Sequence, residues 1–150
     1  MHVISTSLLQ RYDVAGPRYT SYPTADRFVE AFGSDEYGAA LAHRRHSGAS
    51  NGSPLSLYIH IPFCESLCYY CACNKIITKR HERAEPYLRY LSREIDLHTA
   101  QMGLDQPVSQ LHLGGGTPTF LDDRQLAELM DMLRRNFALT PGGEYSIEVD

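Results

Sequence analysis

All four cysteines of this 150-residue chain fall in one ten-residue stretch, Cys64-Glu-Ser-Leu-Cys-Tyr-Tyr-Cys-Ala-Cys73. A disulfide framework spreads its cysteines to close loops across a domain, so thiols packed this tightly read as ligands of one metal centre. Cys64, Cys68 and Cys71 stand at C-x3-C-x2-C. A [4Fe–4S] cluster takes one thiolate per iron. A three-cysteine loop therefore closes over three corners and leaves the fourth iron open to a ligand from outside the protein. Ferredoxin-type loops instead use C-x2-C-x2-C and a fourth cysteine. Structural zinc usually pairs two short knuckles. No second knuckle exists here, although His60 or His81 could substitute, so the spacing favours a cluster. A zinc-stabilised binding module is the rival reading from a different class.

A loop of this kind needs a frame. Leu55-Ser-Leu-Tyr-Ile-His-Ile61 alternates as a strand and stops at Pro62, with the cysteine loop directly after it. Leu88, Leu91 and Ile95 predict a helix over 84–100, with Pro86 tolerable in its first turn. Ser109–Leu113 reads as a second strand running into Gly114-Gly-Gly-Thr-Pro118. Asp122 or Asp123 can cap a helix with Leu126, Leu129, Met130, Leu133 and Phe137 on one face. Pro141-Gly-Gly143 breaks it, and Tyr145–Val149 begins a third strand carrying Glu148. Crossovers of this length suit parallel pairing and an α/β fold.

Residues 1–54 read differently, as an irregular N-terminal leader. Its aromatic, turn-rich stretch Arg11–Thr24 holds prolines that oppose a regular helix or a central strand. A short helix is expected over 35–45, and the polar run 46–54 reads as a flexible connector. Residues 55–150 then begin the main domain. Three parallel strands leave unpaired edges, which points to the N-terminal part of a larger protein rather than a complete small three-stranded domain. The 150-residue segment by itself is expected to be inactive.

Composition narrows the function classes. The chain has 14 Lys+Arg against 18 Asp+Glu, a net charge of −4 and a pI near 5.9. Hydrophobic residues make up 43% and charged residues 21%, as in globular proteins. No basic block suggests a general nucleic-acid surface. No run of about 18 apolar residues suggests a membrane span, and no signal peptide opens the chain. A cytoplasmic protein is the default.

Three motifs in register resemble the radical S-adenosylmethionine (SAM) family. They are the Cys64-x3-Cys68-x2-Cys71 loop after a first strand, the Gly114-Gly-Gly-Thr-Pro118 turn after a second, and Leu57-Tyr-Ile-His-Ile-Pro-Phe-Cys64. The last, with Gly16-Pro-Arg-Tyr-Thr-Ser-Tyr-Pro-Thr24 and Cys71-Ala-Cys-Asn-Lys75, is similar to the coproporphyrinogen-oxidase-like branch. The resemblance implies the first three βα-type units of a partial (β/α) barrel, a [4Fe–4S] cluster and SAM. It also implies an oxidoreductase that decarboxylates two propionates of coproporphyrinogen III to vinyl groups without oxygen, in haem biosynthesis. Reductive cleavage of SAM would supply the hydrogen-abstracting radical. A cytoplasmic electron donor, a further electron acceptor and a monomeric enzyme belong to the same expectation. The alternative within this chemistry is a haem-handling chaperone or another tetrapyrrole-modifying paralogue.

By the same resemblance, Cys64, Cys68 and Cys71 hold the cluster, and Tyr70 lies beside the adenine. Tyr58, Gly115, Gly116, Thr117 and Glu148 match SAM contacts. The loop, the turn and Glu148 all lie near the carboxyl ends of their strands, where ligands sit in parallel α/β folds. Cys73 lies outside the three-cysteine signature. It either shapes the loop or approaches substrate, or is a plain buried thiol. His60 and His112 read as hydrogen-bonded strand imidazoles, His60 sharing a face with Tyr58. Arg18, in the leader, is a candidate propionate contact, because guanidinium binds carboxylate through two bonds. The alternative is an arginine that only pins the leader to the barrel.

Overall fold

The computed structural model describes residues 5–13, 27–46 and 53–149. Arg18 with its surrounding motif, and most of the polar connector, lie outside the described residues. The chain divides into two compact units between Asp35 and Glu36. In the first, Ser5 caps helix α1 (Thr6–Tyr12) by accepting the Leu8 N–H at 3.3 Å. The cap explains why so short a helix forms in a leader without helical periodicity.

Helix α2 (Ser34–His46) agrees with the expected 35–45, and its Leu41 packs on the core of the second unit. Strand β1 (Leu55–Ile61) ends at Pro62. Two-residue strands β2 (Phe63–Cys64) and β3 (Ile76–Ile77) pair in parallel. Helix α3 (Ala84–Met102) ends at Gly103, which takes a φ of 93°. Strand β4 covers Gln106–Gly115, longer than expected at both ends. Helix α4 (Asp123–Asn136) starts in a full capping box: Asp122 accepts the Gln125 N–H, and Gln125 accepts the Asp122 N–H. Strand β5 covers Phe137–Ile147.

β1, β4 and β5 form one parallel sheet in that order. Each strand thus lies beside its predecessor, and right-handed crossovers set both connecting helices on one face. Burial agrees. Ile59 and Ile61 of β1 and Leu111 and Leu113 of β4 share a core with Leu88, Leu91 and Ile95 of α3 and Leu129 and Leu133 of α4. Among the described residues no helix is long and apolar enough to cross a membrane.

Two sequence expectations change. Phe137 is buried as the first residue of β5, not on the face of α4, because helical backbone ends at Asn136. Pro141-Gly-Gly143 does not separate helix from strand. It bulges out within β5, where Leu139 pairs with Val108 and Glu144 already pairs with Gln110. Thr140 Oγ1 donates to the Val108 carbonyl at 3.0 Å, and Tyr145 Oη donates to the Thr140 carbonyl at 2.6 Å. Those bonds hold the strand across the bulge.

The sheet's other face is polar. Period-2 alternation puts Ser56, Tyr58 and His60 of β1 opposite its apolar side chains, and the register does the same on the neighbouring strands. One cross-strand row is Ser56, Gln110 and Glu144, and the next is Tyr58, His112 and Ser146. Gln110 Nε2 donates to Glu144 Oε2 at 2.9 Å.

Candidate cluster and cofactor site

The cysteine loop leaves β1 and returns through β3. Its two arms are tied: the Ile76 N–H donates to the Pro62 carbonyl at 2.6 Å, and the Thr78 N–H to the Cys64 carbonyl at 2.9 Å. His60 adds a strut across the base. Its Nε2 lies 2.7 Å from the Asn74 carbonyl, which can only accept, so Nε2 donates and Nδ1 accepts from Tyr58 Oη at 3.0 Å. Partial burial, and next the Glu148 charge, push the Tyr58 phenol above its usual range, which keeps it a donor.

The glycine turn is stitched to the same strand end. The Gly116 N–H donates to the Ile61 carbonyl at 2.7 Å, and the Thr117 N–H to the Phe63 carbonyl at 2.8 Å. Gly115 has a φ of 114°, a conformation side chains resist. At Gly116 a Cβ would sit 2.7 Å from the Phe63 carbonyl oxygen and 2.9 Å from Cys64 Sγ. Only glycine lets the turn lie this close to the first cysteine.

Glu148 follows the last residue of β5, one position beyond the strand in which it was expected. Its backbone N–H still reaches the Leu113 carbonyl at 2.9 Å, so it extends the ladder. One carboxylate oxygen accepts the Gly115 N–H at 3.1 Å, and the other accepts His112 Nε2 at 3.2 Å. His112 Nδ1 meets Ser146 Oγ at 2.7 Å, and the ring stacks on Tyr58 with centroids 5.7 Å apart.

These pieces meet in one open cleft of about 360 Å³. Cys64, Cys68, Cys71 and Cys73 line it, with Tyr70, Gly115, Gly116, Thr117 and Glu148. Neither Tyr58 nor His112 lines it; Tyr58 stacks on His112, which in turn bonds to the lining carboxylate of Glu148. The four thiols are free. Thr117 Oγ1 donates to Cys64 Sγ at 3.7 Å. A bond from the Cys73 backbone N–H holds the Cys71 thiol below the ordinary thiol range, assisted by the Lys75 charge. Hydrogen bonding to Cys71 pushes the Cys73 thiol the other way. The two neighbouring thiols are thus biased in opposite directions, Cys71 toward the thiolate and Cys73 toward the thiol. Among the described residues no three His, Cys, Asp or Glu side chains surround a single point as ligands of one ion. The thiols line a cleft, an arrangement whose donor chemistry suits separate corners of a cluster.

In the sequence Ser146 carries no role, Asn74 appears only within the Cys71–Lys75 motif, and His112 reads as structural. The signal for Ser146 and His112 was present as polar alternation on each strand, but only the register aligns them. Asn74 contributes a backbone carbonyl, which no residue type announces.

Residues 58–149 match the model of the radical SAM superfamily. The chain belongs to the radical SAM superfamily. Enzymes of this superfamily use a [4Fe–4S] cluster and SAM, and the cleft's donor set fits both. The chain is 52% identical over 145 residues to the oxygen-independent coproporphyrinogen III oxidase of Pseudomonas aeruginosa, covering 95% of this chain and 31% of that protein. Its counterpart of the same name from Mannheimia haemolytica is 48% identical, covering 96% of this chain and 94% of that sequence. A solved structure of coproporphyrinogen III oxidase (HemN) from Escherichia coli, described as a radical SAM enzyme, superposes with a TM-score of 0.76 at 48% identity. That match covers 95% of this chain and 30% of the HemN chain. The chain therefore spans about a third of the Pseudomonas aeruginosa and Escherichia coli proteins.

Proposed function

We propose that this radical SAM chain supplies the cluster- and SAM-binding part of an oxygen-independent coproporphyrinogen III oxidase, acting in haem biosynthesis. The observation that carries the reading is the meeting of three thiols, a glycine turn without room for side chains, and a hydrogen-bonded carboxylate in one cleft. Cys64, Cys68 and Cys71 hold the cluster, and Gly115, Gly116, Thr117 and Glu148 hold SAM, with Tyr70 covering the adenine and Tyr58 backing the site through His112. When bound, the cluster and SAM together supply a hydrogen-abstracting radical, which is cofactor chemistry.

The chain's own residues bind and orient. Glu148 presents an acceptor to SAM's amino group while the Gly115 N–H and His112 fix its direction. The glycine turn lets backbone approach the ligand, and the His60–Asn74 strut keeps the cysteine loop over the strand ends. The reading includes a cytoplasmic, monomeric enzyme served by an electron donor and a final acceptor. In the intact protein, anaerobic incubation with coproporphyrinogen III, SAM and reductant is expected to release carbon dioxide and give protoporphyrinogen IX. Iron-loaded protein that cleaves SAM but leaves coproporphyrinogen III unchanged would overturn the substrate assignment.

Arg18 completes the proposal on the substrate side, as a guanidinium partner for one of the propionates. Arg18→Ala in the intact enzyme is expected to weaken coproporphyrinogen binding by roughly tenfold or more, the scale of one charge-assisted bond. SAM cleavage without substrate should continue. Unchanged substrate affinity would remove Arg18 from the site.

A further inference from the structure

Just past the last cysteine, a lysine folds back onto the loop. Lys75 Nζ donates to the Cys71 carbonyl and to the Cys73 carbonyl, each at 3.3 Å. Residues 71–75 are neither helix nor strand, so these carbonyls have no backbone ladder to join. The ammonium satisfies them and is held in place by them. The residues on either side of Lys75 are anchored as well. The Asn74 carbonyl takes His60 Nε2 at 2.7 Å, and the Ile76 N–H donates to the Pro62 carbonyl at 2.6 Å. Backbone and side chain of Lys75 are therefore both tied at the base of the cysteine loop.

Lys75 is half-buried, and among the described residues no carboxylate pairs with it. Its charge acts on the thiols instead. The Cys71 thiol, lowered first by the Cys73 backbone bond, is lowered further by the charge of Lys75 and by a hydrogen bond from it. The Cys73 thiol, raised first by its bond to Cys71, feels Glu148 and Lys75 in opposite senses. Lys79, Arg80 and Arg83 follow on the same arm, but they are exposed and make no hydrogen bond to a cysteine residue. Lys75 is the cation of this arm that is held against the sulfur donors.

We infer that Lys75 is a positioning residue whose tethered cation raises the reduction potential of the cluster held by Cys64, Cys68 and Cys71. The inference rests on the cluster reading above and deepens it, from which residues hold the cluster to how readily the cluster takes up an electron. One electron passes from an external reductant to the iron–sulfur core. No bond forms or breaks, and no proton moves. Three thiolates already crowd negative charge around the core, so the added electron meets repulsion. A cation beside one thiolate offsets that repulsion more in the reduced form than in the oxidised form. Cluster potentials respond in this way to net charge and to hydrogen bonding at the sulfurs.

The test poises the intact, cluster-loaded protein, without SAM, at a series of potentials and follows the reduced cluster by electron paramagnetic resonance. Lys75→Gln keeps an N–H donor without the charge, and Lys75→Met keeps only the length. Both are expected to disfavour reduction by roughly tenfold or more, which is a fall of about 59 mV or more in a one-electron potential. Lys75→Arg keeps the charge and should stay near the parent potential. So should Lys79→Gln, because solvent and salt screen that exposed cation. Iron-loaded neutral variants at the parent potential would overturn the inference. An arginine variant as low as the neutral ones would do the same, since charge would then not be the cause. A shift at Lys79→Gln equal to that at Lys75→Gln would reduce the effect to net charge, and loss of iron from both neutral variants would make Lys75 a brace for the loop; either result also sinks it. A parent protein that takes up no iron strikes the cluster reading instead, so the two failures are distinguishable.

Discussion

Serine at Cys64, Cys68 or Cys71 is expected to strip the reconstituted protein of most of its iron, whereas serine at Cys73 leaves it. An outer partner of a metal ligand is typically worth roughly 10- to 100-fold in metal affinity. Removing a ligand itself costs more. Cys64 has the least freedom to adapt: it is buried, its carbonyl is tied to Thr78, and its sulfur accepts the Thr117 hydroxyl. Cys71 is held below the ordinary thiol range first by its bond from the Cys73 backbone, which survives any change of the Cys73 side chain, and then by the Cys73 side chain itself. Cys73→Ser also keeps a hydroxyl donor near Cys71, so its iron content should match the parent. Cys73→Ala removes the donor and is expected to alter the visible spectrum of the iron-loaded protein without removing the iron, because hydrogen bonds to sulfur tune clusters. Iron analysis after anaerobic reconstitution decides the matter. Loss at Cys73→Ser as complete as at Cys68→Ser would show that the wrong thiols have been assigned.

What the sequence could show of this site divides along the range of the interactions. The cysteine spacing, the alternation of β1 and the periodicity of α3 are local, and the structure reproduces each within a residue or two. Asp122 as a cap is local as well, since its partner Gln125 lies one turn away. The pairing of β2 with β3 is not. It joins two-residue segments that carry no strand pattern and whose partners are thirteen positions apart, yet it decides that Thr78 is tied to Cys64. Pro141-Gly-Gly143 shows the opposite failure. Its residues predict a break between helix and strand, but the strand begins before them, and Tyr145 and Thr140 span the bulge with bonds to β4 and to each other that only tertiary register supplies.

Register also separates residues that look alike in sequence. His60 and His112 each sit on a strand one position from an apolar neighbour. Pairing places His112 opposite Ser146 and within reach of Glu148, and places His60 opposite Gly114 at the strand end. The first therefore orients a carboxylate and the second spans to the loop's return arm. Neither role follows from periodicity, because a period of two assigns a face but not a partner.

Glu148→Gln is expected to lower SAM affinity by about 10- to 150-fold, while the iron content stays at the parent level. The estimate follows from one charge-assisted hydrogen bond, roughly 1.5–3 kcal/mol, converted to an equilibrium constant. Glu148 serves two donors at once, the Gly115 N–H at 3.1 Å and His112 Nε2 at 3.2 Å, and a carboxylate has lone pairs left for a cationic amine. A glutamine has one acceptor oxygen. Its amide NH2 must face either the glycine N–H or the imidazole N–H, so one donor loses its partner and the negative charge is gone. Glu148→Asp keeps the charge but shortens the reach by one methylene, and should fall between the two. Glu148 touches no cysteine sulfur directly among the described contacts, which is why iron should be unaffected. Equilibrium dialysis of SAM against the cluster-loaded protein gives the answer. Parent-like affinity in Glu148→Gln would leave the carboxylate as a brace for the glycine turn and His112, and would move the recognition of SAM's amine to another group.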